Sequence, residues 1–234
     1  MVKGKKILAI IPARGGSKRI PKKNIIDFHG KPMIAWTIEA AIKSACFDEI
    51  LVSTDDNEIA EIAKNYGASV PFLRELNKDD HSNVSDVVIS EKKRLNQKYD
   101  IIVMLMPNCP IRDEFDISSA LNNFIDNDRD FQISSFKYGF MNPYWAHRID
   151  NEGKGVPVFK EAISSRSQDL SNLYCPTGAI WVAKDENLQI SKSFYGPGYI
   201  MEPINWKNAV DIDDYEDLEL AEIIFNSLKS KNEY

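Results

Sequence analysis

The sequence predicts an α/β fold with a mostly parallel sheet, and three observations carry that prediction. Short, wholly apolar runs recur along the chain, such as residues 7–11 (Ile-Leu-Ala-Ile-Ile) and residues 101–106. Strands buried on both faces read this way. Between them lie stretches whose apolar residues repeat at helical spacing, such as Ile117, Ala120, Leu121, Phe124 and Ile125. The two kinds of stretch alternate, which is the order that builds βαβ units.

In chain order, the first strand is residues 7–11, and a loop rich in glycine and lysine follows it to about Gly30. A helix over 32–45 opens on Pro32, whose missing N–H is no loss at the first helical position. A strand over 50–53 leads to a helix capped by Asp55 or Asp56 and stopped at Gly67. A third short strand is expected over 69–72. Val84, Val87, Val88 and Leu95 mark the face of another helix. The strand 101–106, the helix around 117–125 and a strand over 131–136 come next. Residues 137–172 break the rhythm: Pro143, Tyr144, Trp145, Gly153, Gly155 and Pro157 stand among charged residues, which reads as a small inserted hairpin-like lobe. Leu218, Ala221, Ile224, Phe225 and Leu228 form the apolar face of a last helix. One domain over 1–234 accommodates all of this, with no internal repeat.

Bulk composition narrows the function. The 234 residues are 43% hydrophobic and carry a net charge of −6, so the chain affords a proper core and lacks the basic surplus of a general nucleic-acid binder. Three cysteines, Cys46, Cys109 and Cys175, form no C-x-x-C pair. An odd count argues against a disulfide framework and a zinc cage, and suits a reducing, cytoplasmic setting. The apolar run near the start ends by Pro12, too short for a signal peptide. No run approaches the ~20 apolar residues of a membrane span. On this acidic body, Arg14, Lys18, Arg19, Lys22 and Lys23 concentrate positive charge in one loop, as a single focused anionic ligand requires.

That loop, Pro12-Ala13-Arg14-Gly15-Gly16-Ser17-Lys18-Arg19-Ile20-Pro21-Lys22-Lys23-Asn24, follows a buried strand directly. Gly15 and Gly16 bring backbone amides close to a ligand without a Cβ in the way, and successive N–H groups make an anion-binding concavity. Arg binds phosphate with two parallel bonds and Lys acts as a movable point charge, so a triphosphate is the ligand the loop suits. The alternative is a solvated basic loop. The spacing is neither that of a Walker A loop nor that of a dinucleotide-binding G-x-G-x-x-G, which removes the main support for an ATPase or a dehydrogenase. In parallel sheets ligands sit beyond the carboxyl ends of the strands. The loops 12–24, 53–56 and 107–112 are therefore expected at one crevice.

Asp211 and Asp213 lie two apart in what reads as an extended segment, which turns both carboxylates to one side. With phosphate oxygens and water they suit Mg²⁺. The alternative is a pair of acids stabilising the start of the last helix. Asp214 and Asp217 are placed for that duty, leaving Asp211 and Asp213 free.

The segment Ile-Pro-Ala-Arg-Gly-Gly-Ser-Lys-Arg-Ile-Pro-Lys-Lys-Asn resembles the first loop of the acylneuraminate cytidylyltransferases (CMP-sialic acid synthetases), a family whose relatives activate pseudaminic and legionaminic acids. The likeness continues in order through Gly30-Lys31-Pro32-Met33-Ile34, Val52-Ser53-Thr54-Asp55, Pro71-Phe72-Leu73-Arg74, Pro107-Asn108-Cys109-Pro110-Ile111-Arg112, Arg166-Ser167-Gln168-Asp169-Leu170, Pro176-Thr177-Gly178-Ala179-Ile180 and Asp211-Ile212-Asp213. It covers the chain from Lys6 to about Leu228.

The resemblance implies a Rossmann-like nucleotidyltransferase fold with an inserted dimerisation lobe, hence a homodimer, and transfer of CMP from CTP to an acidic nine-carbon sugar with release of pyrophosphate. It places Arg14, Gly15, Gly16, Ser17, Lys18, Lys23 and Asn24 around CTP, with Arg14, Lys18 and Lys23 neutralising its phosphates. Arg74 falls near cytosine and ribose, and Ser82, Asn83 and Ser85 fall near the nucleotide. Met106, Arg112, Arg166 and Gln168 fall at the sugar, the loop 166–170 arriving from a neighbouring subunit. Asp211 and Asp213 hold Mg²⁺. Phe140, Tyr144 and Trp145 become interface aromatics or a small satellite core of the lobe; His147 reads as structural. Sialic-acid members carry Gln-Pro-Thr-Ser-Pro where this chain has Met106-Pro107-Asn108-Cys109-Pro110. Replacing the Gln by an apolar thioether removes a donor at the sugar and bears on its identity. A CMP-Kdo synthetase and a non-catalytic nucleotide-sugar sensor are the alternatives.

Overall fold

The computed structural model describes residues 2–76 and 83–232. Strand β1 (Ile7–Pro12) leads into a two-residue-per-strand hairpin, β2 (Asp27–Phe28) and β3 (Lys31–Pro32), then α1 (Met33–Lys43), β4 (Glu49–Ser53) and α2 (Asn57–Asn65). Next come α3 (Val84–Arg94), β5 (Ile101–Met104), α4 (Glu114–Asp126) and β6 (Phe131–Lys137). A second small hairpin, β7 (His147–Ile149) and β8 (Gly155–Pro157), precedes β9 (Tyr174–Lys184), α5 (Asp185–Ser191), β10 (Ile200–Pro203) and α6 (Tyr215–Asn232).

Six strands form one sheet in the order β10-β6-β9-β5-β1-β4. β1 pairs in parallel with β4 and β5, and β10 in parallel with β6; β9 runs antiparallel between β5 and β6. The fold is mixed α/β around a mostly parallel sheet, as the sequence predicts. The two-residue period of β1 explains its continuous apolar run. Ile7, Ala9 and Ile11 face the cluster built with α1, α2 and α4, while Leu8 and Ile10 face the cluster holding Val88 of α3 and Leu188 of α5. All five are fully buried.

A third cluster fixes the site. It joins Ile20 of the basic loop, Phe28 and Met33, Ile111, Ile212, and Leu218, Ala221 and Ile224 of α6. Ile212 stands between the two aspartates, so burying it pins that segment while its neighbours face the other way.

Helix ends follow local chemistry. Asp56 caps α2 by accepting from the amides of Glu58 and Ile59, Asn83 caps α3, and Asp113 with Asp116 forms a capping box on α4. Asp214 accepts from the amides of Glu216 and Asp217 at the start of α6, the duty expected of it.

Two expectations change. Residues 69–72 form no strand. Ser69 bridges to Leu51, after which Pro71 supplies no N–H to extend a ladder. The 11-residue β9, the only antiparallel strand of the main sheet among the described residues, was not expected; it contains Pro176 and Gly178, residue types that favour turns over strands. Residues 138–173, between β6 and β9, contain the β7–β8 hairpin and three single 3-10 turns.

Candidate active site

The carboxyl ends of β1 and β5 open onto a cavity of about 480 Å³. From the first loop it is lined by Pro12, Arg14, Ser17, Lys18, Arg19, Lys23 and Asn24. Arg74, Val84 and Val87, Met106, Pro107 and Asn108, and Asp213 complete the wall. Expectation and structure therefore agree on bringing Arg14, Ser17, Lys18, Lys23, Asn24, Arg74, Met106 and Asp213 to one place. Ser82 lies outside the described residues.

The loop is held by its own residues and by the end of β4. Ala13 N–H donates to Ser53 O at 2.8 Å and Gly15 N–H to Asp55 Oδ1 at 2.9 Å. The Asn24 amide closes the turn onto Arg14 O at 2.9 Å. The loop 53–56 thus supports the basic loop and does not line the cavity. The expectation that the Gly15 amide meets the ligand is corrected: that N–H is already taken by Asp55. Glycine is needed there because a Cβ would stand 2.8 Å from Asp56 Oδ2.

Arg74 is 3% exposed; its Nη2 lies 4.0 Å from Asp55 Oδ1, Nε and Nη2 make no hydrogen bond among the described residues, and burial lowers its pKa while Asp55 draws it back. A buried guanidinium with free donors at a cavity wall is built to meet a polar ligand edge.

Three expected sugar residues sit elsewhere. Arg112 is fully buried and donates to Ala179 O at 2.7 Å and Met106 O at 3.3 Å. It braces the loop after β5 from behind, because the cavity side of that loop is occupied by Met106 and Asn108. Arg166 is exposed and pairs with Asp169 at 2.8 Å in the 138–173 segment. Gln168, beside it, is likewise exposed. Neither lines the cavity of its own chain. Asn83 and Ser85 serve the fold: Asn83 caps α3, and Ser85 Oγ accepts from Phe194 N–H. In the same segment His147 Nδ1 bonds Trp145 O at 2.8 Å, a local structural contact.

The acidic pair is organised asymmetrically. Asp213 accepts from Lys23 Nζ at 2.8 Å and faces Arg19 Nη2 at 2.6 Å. Burial raises its pKa, but Lys23 and Arg19 outweigh that and hold it below the usual carboxylate range. Asp211 makes no ion pair among the described residues, and burial, then the charge of Asp213, push it up to about 6. Asn108, absent from the sequence-based candidates, donates from Nδ2 to the Asp211 carboxylate and to Ile212 O at 2.9 Å. The only signal for it was its place, two residues past Met106 on the loop after β5. Gly178 is the other residue the tertiary structure adds. A Cβ there would stand 2.7 Å from Met106 Cγ and 3.6 Å from Asp211 Oδ2, so glycine lets the two approach.

A cation fits this donor set. Asp211 is a largely buried carboxylate that makes no ion pair among the described residues. No three His, Cys, Asp or Glu side chains gather into a metal cluster among the described residues. Two carboxylates with the balance from phosphate and water is how Mg²⁺, rather than a transition metal, is held.

A family model described as cytidylyltransferase matches residues 8–222. The chain belongs to the cytidylyltransferase family. It is 39% identical to the pseudaminic acid cytidylyltransferase of Campylobacter jejuni, over 94% of this chain and 96% of the relative. It is 36% identical to the CMP-N,N'-diacetyllegionaminic acid synthase of Legionella pneumophila, over 81% and 83%. A solved CMP-2-keto-3-deoxy-manno-octonic acid synthetase complexed with CTP superposes with a TM-score of 0.69 at 18% identity, covering 95% of this chain and 99% of that one, which is a likeness of fold. No helix of this cytidylyltransferase among the described residues is long and apolar enough to cross a membrane.

Proposed function

We propose that this cytidylyltransferase transfers CMP from CTP to the anomeric hydroxyl of a nonulosonic acid and releases pyrophosphate. The observation that carries the reading is the single cavity in which Arg14, Ser17, Lys18 and Lys23 face Met106, Asn108 and Asp213. Cations for a triphosphate and the Asp213 carboxylate, with Asp211 two residues before it in the chain, meet across one space. The activities for which the relatives at 36–39% identity are named agree with it.

In the reaction the anomeric oxygen forms a bond to the α-phosphorus as the bond to the bridging oxygen breaks. Pyrophosphate leaves with that electron pair, and the hydroxyl proton passes to solvent. Lys18, Lys23 and Arg14 neutralise the β- and γ-phosphates, and Arg74 orients the base and ribose. Asp211 and Asp213 would hold Mg²⁺, which would supply charge neutralisation for the phosphates and make the attacking hydroxyl easier to deprotonate. Met106 presents an apolar surface to the sugar. An acid bearing acyl or deoxy carbons therefore suits it better than one offering a hydroxyl there.

The active form in this reading is a cytoplasmic homodimer. Phe140, Met141 and Ile149 of the lobe are exposed at 74–87%, more apolar surface than a monomer keeps without use. Association through the lobe carries Arg166 and Gln168 toward the partner's cavity. Pyrophosphate release with CTP and Mg²⁺ is measured against N-acetylneuraminate, pseudaminate, legionaminate and Kdo in parallel. Release with a nonulosonate is expected. Release with Kdo alone, or CTP binding with no release from any acid, overturns the reading.

A further inference from the structure

We propose that Asn108 is the positioning residue of the acidic pair, and that its side-chain amide sets the affinity of Asp211 and Asp213 for a divalent cation. The inference rests on the reading of those two aspartates as the cation site.

Asn108 is 1% exposed and follows β5 on the loop that faces the cavity. Its Nδ2 donates to the Asp211 carboxylate and to Ile212 O at 2.9 Å, and lies 3.5 Å from Asp213 Oδ1. The backbones return the contact, since Ile212 N–H donates to Asn108 O at 2.9 Å. One residue therefore grips the acidic segment by its main chain and by the Asp211 carboxylate, with Asp213 at the edge of its reach.

Two carboxylates turned to one side repel each other. A neutral NH₂ group placed between them relieves that repulsion and fixes their directions without adding a formal cation that would compete with a metal. Lys23 is the other candidate for this duty, but its hydrogen bonds reach Ile212 O and Asp213 alone, and its charge belongs to the phosphate loop.

The orientation of the Asn108 amide is itself informative. Its Oδ1 is buried without a hydrogen-bond partner among the described residues, an unfavourable arrangement. Turning the amide over would set that oxygen against the carboxylates. The donor half, facing the acids, decides the geometry and the acceptor half goes unpaired.

The test uses the full chain and Mn²⁺ alone as probe, titrated by electron paramagnetic resonance without CTP or sugar. CTP affinity in EDTA and the melting temperature are measured beside it. Asn108→Ala is expected to weaken Mn²⁺ binding by roughly 10–100-fold, the range seen when a partner of a metal ligand is removed. Asn108→Thr, which keeps one donor, is expected to recover most of the loss. Asn108→Asp keeps the shape, and loses affinity although it adds a carboxylate. Wild-type Mn²⁺ affinity in Asn108→Ala, or tighter binding in Asn108→Asp, overturns the proposal. If the Ala variant does not fold, the Asp variant decides alone. If wild type binds Mn²⁺ and Asp211→Ala abolishes it while Asn108 variants do not, this inference fails and the cation-site reading stands. If wild type binds no Mn²⁺, both fall.

Discussion

Asp211 is pushed up to about 6 because burial and the charge of Asp213 disfavour its ionised form, whereas Asp213, two residues on, is drawn down by Lys23 and Arg19. The same side chain thus serves two purposes. Asp213 ties the acidic segment to the phosphate loop, and Asp211 makes no ion pair among the described residues. Asp211→Ala is expected to lower kcat by on the order of 100-fold or more, the scale of removing one preorganised electrostatic contact from an active site. Its circular dichroism and melting temperature should stay near wild type, since Ile212 and not Asp211 anchors the segment in the core. Near-normal turnover with Mg²⁺ would remove Asp211 from the site.

Among the elements, α3 couples fold and site. Its Glu91 is 1% exposed, bonds Arg94 at 3.4 Å and lies within the electrostatic reach of Arg74. Burial raises the Glu91 pKa, and Arg94 and Arg74 only partly draw it back. An acid whose folded pKa exceeds its unfolded one contributes stability fully present below the unfolded pKa, near 4.5. That stability is lost as pH rises through the folded value. Glu91→Gln lacks this titration. The difference in unfolding free energy between Glu91→Gln and wild type should therefore shift in favour of the Gln variant as pH rises from about 4.5 toward neutrality, measured by urea denaturation at several pH values. A pH-independent difference would show that Glu91 is not held against its ionisation.

For the whole molecule the open question of assembly sits in residues 138–173. Apolar side chains exposed on a lobe that packs little of itself inward are the material of an interface core. In our reading they are covered by a second copy. Phe140→Glu is expected to shift the species seen by light scattering from dimer to monomer at micromolar concentration. If Arg166 reaches a partner's cavity, turnover falls with dissociation. A Phe140→Glu protein of unchanged mass would move the interface elsewhere.

The sequence by itself determined the layers. The β1 run, the helical periods around α1, α4 and α6, and the caps at Asp56 and Asp214 are local chemistry, legible because burial on two faces or one imposes a period on the residues that meet it. It also placed the basic loop at the carboxyl end of β1, and with it most of the cavity's cationic wall. The tertiary structure decided what depends on distant partners. Strand β9 carries Pro176 and Gly178 and becomes a strand because β5 and β6 offer it ladders on both sides. Arg112 carries the charge of a ligand-binding residue, yet it is buried behind the loop, where Met106 O and Ala179 O await its donors. Asn108 has nothing in its own neighbourhood of sequence to mark it. Its partners lie more than a hundred residues away, and the β5 loop and Asp211–Asp213 meet only when the shared apolar cluster around Ile111 and Ile212 closes.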